Sequence, residues 1–384
     1  MADDENTAQT SPTATTTTHV ITVWDLPIRL FHLALVAVVL VAYLSAYVLP
    51  ENALGLHLWS GYVTVALLVF RLTWGWLGSH YSRLQSFAYS PAHILKHLQE
   101  LATLRPVTHY IGHNPSGALM VFALLMVLSI ITVSGLMVLG GEENQGPLAG
   151  IISYAVAEHA ATVHNVIVLL LLAMVVLHIA GVLLETKLTG QRLVRAMFNG
   201  RKTVPLSTPS LPLRPARPVT AAAVLTVFIT IAGSVLWALS TMPASGLITL
   251  PANTAYEGEC GDCHSAFHPS LMPIASWAKV MGGLDDHFGE DASLDAETVT
   301  DITSYLTQYG GEKWDTEASN RFAILNPAKP LRITATPYWL RKHSAIAPAQ
   351  FKLKSVGGKT NCGGCHRDQQ SGRFDDQNIQ IPKE

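Results

Sequence analysis

Five stretches of the chain are predominantly apolar over about the 20 residues that a helix needs to cross a bilayer core. They run over about 27–49, 56–77, 117–140, 163–184 and 219–241. Each is too long for a buried strand, and none shows the alternation of a half-buried one, so each predicts a spanning helix. Beyond residue 245 no such stretch follows, and polar residues, Gly and Pro dominate. That change marks a boundary between a membrane part and a smaller extramembrane part at 245–384. Residues 1–19 are polar, rich in Thr and without an apolar run, and they read as a disordered tail. They lack the basic and short apolar regions of a signal peptide, so the first spanning helix is expected to target the chain uncleaved.

Charge then orients the helices. The loops at 50–55 and 141–163 hold no Lys or Arg and carry Glu51, Glu142, Glu143 and Glu158. The loop at 78–116 carries Arg83, Lys96 and Arg105, and that at 185–218 carries Lys187, Arg192, Arg195, Arg201, Lys202, Arg214 and Arg217. Alternate loops agree, so the positive-inside rule places the basic loops and the N-terminus in the cytoplasm and residues 245–384 outside. This fits a bacterial inner membrane and a periplasmic C-terminal domain, with 201–218 as a basic cytoplasmic linker. A composition of 49% hydrophobic and 14% charged residues agrees with a membrane protein, and a net charge of −2 speaks for no nucleic-acid partner.

The four cysteines bring in chemistry. Cys260-Gly-Asp-Cys263-His264 and Cys362-Gly-Gly-Cys365-His366 both fit C-x-x-C-H, the attachment motif of covalent c-type haem. Two thiols add across the porphyrin vinyl groups, and the adjacent histidine is delivered to one face of the iron. A single zinc site built from all four cysteines is the competing reading. The 98-residue gap between the pairs and the histidine after each count against it. A c-haem iron takes Met or a second His as its other axial ligand. His287 lies 23 residues after His264, and His343 lies 23 residues before His366. These two are the expected distal ligands, with Met272 or Met281 as the alternative for the first. The spacing does not say which distal histidine serves which haem. His268, four residues past His264, cannot reach the opposite face of the same haem.

A histidine inside a spanning helix is costly and is by default a functional candidate. His32, His57, His164 and His178 are the four. The 14 residues between His164 and His178 turn a helix through about 1400°, within roughly 40° of whole turns, and advance it ~21 Å. Both rings therefore face one way, at two depths. The topology pairs His57 with His164 toward the periplasm and His32 with His178 toward the cytoplasm, each pair suited to grip one haem b inside the bundle. Ordinary interhelical hydrogen bonding is the competing reading for any one of them. His80, His93, His97, His109, His113 and His159 read as solvated loop or edge residues. Arg29 and Arg71 are placed either to pair with haem propionates or simply as positive-inside charge.

Two resemblances follow from these residues. Trp24-Asp25, Arg29, His32, His57, Gly61, Arg71, Trp74-Gly75, His113-Asn114-Pro115, Gly117, His164 and His178 resemble the prokaryotic cytochrome b561 family over about 20–200. That family includes the cytochrome b subunits of nickel-iron hydrogenases. The resemblance implies a four-helix bundle holding two b-haems on the same four histidines and exchanging electrons with quinone. The fifth helix is then an anchor. The first C-x-x-C-H, Ser276-Trp277, His287-Phe288-Gly289, Trp339 to His343 and the second C-x-x-C-H resemble the bacterial di-haem cytochrome c family over about 256–382. It implies bis-histidine electron carriers.

The expected fold is mainly α: the transmembrane bundle with its fifth helix, then a small α and irregular di-haem domain. The expected function is electron transfer through two haem b and two haem c between the membrane quinone pool and a periplasmic redox protein, in the sense of quinol oxidation. A quinol-oxidising oxidoreductase activity is one form of it. A second reading is a cytochrome subunit in a larger complex that relays electrons for a catalytic partner without quinone chemistry of its own, and a homo-oligomer is compatible with either. A proton-relaying transporter is a third class, against which the paired C-x-x-C-H motifs argue. The extramembrane part is polarised: residues 257–317 hold 13 acidic and two basic residues, and 318–384 hold four acidic and 11 basic.

Overall fold

The computed structural model describes residues 18–49, 53–103, 110–205 and 218–382. The expectations for the tail at 1–17, for Arg105 and His109, and for the linker at 206–217 with Arg214 and Arg217 lie outside these residues. Five helices among the described residues are long and apolar enough to cross a membrane. They are α1 (Leu26–Tyr47), α2 (Leu54–Leu77), α4 (Pro115–Gly141), α5 (Tyr154–Thr189) and α7 (Pro218–Ser240). Leu40, Val133, Leu169, Leu177 and Ile231 stand exposed along them. A helix that is apolar on the side away from its neighbours suits lipid rather than water.

α5 is longer than its apolar window. It has 36 residues against the expected 163–184, because Ala-rich residues before the window and Glu185–Thr189 after it continue the helix at no backbone cost. The loop before α4 also holds an amphipathic helix, α3 (Pro91–Ala102), capped by Ser90, which a reading for spanning segments passes over. A short helix, α6 (Leu193–Asn199), precedes β2 (Arg201–Pro205), which pairs antiparallel with β1 (Thr18–Thr22). Thr18 and His19 therefore belong to a strand and not to a disordered tail, and the linker begins as a strand. The β-branched Thr18-His-Val-Ile-Thr22 run explains the choice.

Packing divides the chain into two units, each described by itself: residues 1–35, 67–126 and 172–229, and residues 36–66, 127–171 and 230–384. The first is built on Val23, Trp24, Ile28, Phe31, Phe70, Trp74 and Ala196. Asp25 organises its entrance. Its carboxylate caps α1 by accepting from the Ile28 N–H at 3.0 Å. It also accepts from Trp74 Nε1 at 3.1 Å, the Ser79 N–H at 3.3 Å and Ser82 Oγ at 2.8 Å. Gly200, at φ +76°, ends α6, and its carbonyl receives the N–H groups of Val23 and Trp24. A Cβ there would lie 2.5 Å from the Trp24 oxygen, so both conformation and space demand glycine.

In the second unit, α8 (Thr254–Glu259), α9 (Ile274–Met281), α10 (Ala296–Tyr309), α11 (Glu317–Phe322) and α12 (Pro337–Lys342) surround Leu271, Trp277, Ile302, Leu306 and Trp339. These helices are short, so caps matter: Asn253, Asp295, Thr316 and Thr336 each accept from first-turn N–H groups. The indole N–H groups of Trp277 and Trp314 donate to the Pro269 and Tyr309 carbonyls, which fixes the irregular chain between helices.

Replacing Asp25 by Ala orphans an indole, a hydroxyl and two backbone donors at once. A charged acceptor contributes about 1.5–3 kcal/mol per bond, so Asp25→Ala is expected to lower the apparent Tm of the detergent-solubilised protein clearly, and Asp25→Asn less. An unchanged Tm in Asp25→Ala would show that this network does not hold α1 to α2.

Candidate haem sites

Four histidine pairs stand out by a shared geometry. The ring centroids of His32 and His178 lie 6.4 Å apart, those of His57 and His164 6.2 Å, those of His264 and His287 6.3 Å, and those of His343 and His366 6.1 Å. With a metal–imidazole bond of about 2.0 Å and about 1.2 Å from ring nitrogen to ring centroid, two rings on opposite faces of one metal have centroids about 6.4 Å apart. All four pairs fit an axially ligated haem iron. The first pair lies in the first unit and the other three in the second. The partner left open by spacing is thus geometrically assigned: His287 faces His264, and His343 faces His366.

Hydrogen bonds choose the coordinating nitrogen. His57 Nδ1 lies 3.0 Å from the Ala42 carbonyl and 3.4 Å from Ser45 Oγ on α1. His164 Nδ1 lies 3.0 Å from the Ile131 carbonyl and 3.2 Å from Ser134 Oγ on α4. The device is the same twice: a carbonyl and, three residues on, a serine of the neighbouring helix. A carbonyl only accepts, so Nδ1 carries the proton and Nε2 presents its lone pair to the metal. His264 Nδ1 meets the Ser265 carbonyl at 2.9 Å, and His343 Nδ1 the Trp339 carbonyl at 2.9 Å, with the same consequence. Such outer partners set ligand orientation and basicity. Space agrees: a Cβ on Gly61, one turn after His57, would meet nothing within 4 Å, whereas one on Gly135 would press His164 Cε1 at 3.2 Å.

The candidate covalent sites are assembled from helix ends and turns. Cys260 ends α8, and His343 ends α12 with its ring stacked 4.4 Å from Trp339. His287 pairs with Glu290, and His366 with Ile379, in single β-bridges. Phe288 and Phe374 have φ of +60° and +55°. Bulky residues rarely adopt this conformation, and strain of this kind gathers at ligand sites. A cleft of about 480 Å³ beside His287 is lined by Lys279, Val280, Phe288 and Leu331. All four cysteines are free of disulfides, leaving their Sγ atoms for thioether bonds. Among the described residues no cluster of three or more His, Cys, Asp or Glu could hold a metal ion, so the alternative of one zinc site on both cysteine pairs is not formed. Met272 and Met281 are buried in the hydrophobic core with Trp277 rather than set opposite His264.

The reading of the remaining histidines as solvated fits His80, His93 and His159, which are exposed, and needs correction at His97 and His113. His97 is 1% exposed, with both ring nitrogens unpartnered among the described residues. His113 is packed between Trp24 and Phe87 at 4.6 and 4.3 Å, and burial beside Arg71 and Lys202 pushes its pKa down to about 3. Lys202, also buried, donates to the Tyr110 and Gly112 carbonyls, and burial lowers it to about 8. Arg29 donates to the Phe198 carbonyl, while its Nε is buried without a partner among the described residues, as is His113 Nδ1. A buried guanidinium N–H without an acceptor is what a haem propionate carboxylate would satisfy. Arg71 is partnered by the Ser82 carbonyl at 3.2 Å. Burial of His97 and His113 was not legible from local polarity. Asn114, whose side chain accepts from the Gly117 N–H to cap α4, was the available signal that this loop is ordered.

Residues 23–200 match the family model of prokaryotic cytochrome b561, and residues 256–374 match that of dihaem cytochrome c. No curated protein matches the chain. Similar solved structures include a crystal structure of DHC purified from Rhodobacter sphaeroides, at 31% identity, covering 33% of this chain and 100% of that chain with a TM-score of 0.26. Another is a diheme cytochrome type c from Shewanella baltica OS155, at 31% identity, covering 35% and 95% with a TM-score of 0.28. The chain joins two cytochrome families, prokaryotic cytochrome b561 at 23–200 and dihaem cytochrome c at 256–374, and is a multi-pass membrane electron-transfer protein of haem b and haem c.

Proposed function

We propose that the protein carries two b-haems, on His32/His178 and His57/His164, and two c-haems, on Cys260/Cys263 with His264/His287 and on Cys362/Cys365 with His366/His343. Through them it moves electrons from membrane quinol to a periplasmic redox protein. The observation that carries this reading is the recurrence of one ring separation, 6.1–6.4 Å, in four histidine pairs. Bound haem supplies the one-electron chemistry. The chain supplies paired axial nitrogens, a fixed tautomer, burial and thioether anchors. Loop charge supports an inner-membrane orientation with the cysteine motifs in the periplasm. Two imidazoles, rather than imidazole and thioether, hold the iron at the lower end of the potentials c-haems span, so the quinol that reduces it must itself be of low potential.

Two measurements test this. A quinol analogue added to the purified protein is expected to reduce the c-haems. If they stay oxidised while dithionite reduces them, quinol is not the donor and the chain relays electrons for a separate catalytic subunit. The opposed charge of residues 257–317 and 318–384 gives the extramembrane part a dipolar surface able to steer a charged partner. Electron delivery to a charged soluble acceptor is expected to slow about tenfold from low to physiological ionic strength; a rate indifferent to salt would remove steering from the account.

A further inference from the structure

The chain after the second attachment motif folds back on that motif. His366 pairs with Ile379, and the Gln380 N–H donates to the Cys365 carbonyl at 2.8 Å. Just before this return, Gln377 reaches the membrane helices. Its Oε1 lies 3.1 Å from where a Cβ on Gly55 would stand, and its Nε2 donates to Gln145 Oε1 at 3.2 Å. Gly55 is in the first turn of α2, two residues before His57. Three residues of chain therefore join the Gly55 contact to the bridge partner of His366. Further bonds hold the same seam: Asp315 accepts from the Tyr154 N–H at the start of α5 at 3.1 Å, and Arg321 pairs with Glu158 at 3.0 Å.

The first motif is placed differently. Ser265, next to His264, donates to the side chain of Asn361, next to Cys362, at 2.8 Å. Among the described residues no hydrogen bond or ion pair ties 260–291 to α1, α2, α4 or α5. The first covalent site thus touches the second, and the second touches the entrance of α2.

From this we infer that the covalent site of His343 and His366 takes electrons from the site of His57 and His164, that the site of His264 and His287 is the exit, and that Gln377 is a positioning residue for the entry step. Each transfer oxidises one ferrous iron and reduces one ferric iron, with no bond broken and no proton moved. The order rests on the four-haem reading above, and its direction on quinol as donor.

The test uses full-length protein reduced with dithionite and mixed with a soluble one-electron oxidant, following b and c absorbance together. A small oxidant in excess takes electrons at either covalent site, so reoxidation of the b-haems should persist in Cys260→Ala/Cys263→Ala, and in Cys362→Ala/Cys365→Ala it should slow by about tenfold or more, the scale on which displaced reacting centres lose rate. Persistence in both variants, loss in both, or the reverse pattern overturns the order. Should a cysteine variant fail to fold, Gly55→Trp decides: it wedges the Gln377 contact and should slow b-haem reoxidation while leaving direct oxidation of the c-haems unchanged, and an unchanged b rate overturns the order. A readout free of electron transfer is cross-linking. Gly55→Cys/Gln377→Cys should form a disulfide seen by mass spectrometry, and its failure to form removes the seam. Because dithionite supplies the electrons, failure of quinol as donor would not disturb these results. Failure of the four-haem reading would appear separately in the haem content of the unaltered protein.

Discussion

An imidazole ligates iron only when the nitrogen facing the metal is unprotonated and the ring is held at the right distance, and much of this molecule serves that requirement. Free imidazole samples two tautomers and many rotamers. A carbonyl at 2.9–3.0 Å from Nδ1 removes the choice at His57, His164, His264 and His343. In the membrane the carbonyls belong to neighbouring helices, so the packing of α1 on α2 and of α4 on α5 is part of the ligand set. In the second domain they are local, and a short helix such as α12 exists largely to end at a histidine. The two left-handed aromatic residues, Phe288 and Phe374, pack against His287 and His366.

The same requirement explains where polar groups are tolerated in apolar surroundings. Asp25 is placed among aromatic residues but satisfies four donors, so its burial is compensated. Arg29 Nε is not compensated by protein among the described residues and sits in the unit that holds His32 and His178, where an anionic group on a bound haem would complete it. In the second unit, Asp315 accepts from the first N–H of α5, where the helix dipole favours negative charge. That one carboxylate ties a membrane helix to the domain carrying the covalent haem motifs.

The large features were legible in the sequence because each has a strong local signature. Spanning helices need predominantly apolar length, and C-x-x-C-H is fixed by covalent chemistry. The histidine pairing was legible because helix geometry and loop charge together set depth. What escaped was decided by contacts remote in sequence. His97 and His113 look like loop histidines until Trp24, Phe87 and Tyr110 close over them. The pairing of Thr18–Thr22 with Arg201–Pro205 joins segments separated by most of the bundle. His287 and His343 lay at equal spacing from His264 and His366, and only the folded domain brings each opposite its partner.

The central claim is that the chain binds haem at both kinds of site, two non-covalently in the bundle and two through cysteine. A pyridine haemochrome assay on the purified protein, resolving b from c haem, tests it most directly. Two b to two c is the expected ratio. A result of c-haem alone would contradict it and would return His32, His57, His164 and His178 to an interhelical hydrogen-bonding role.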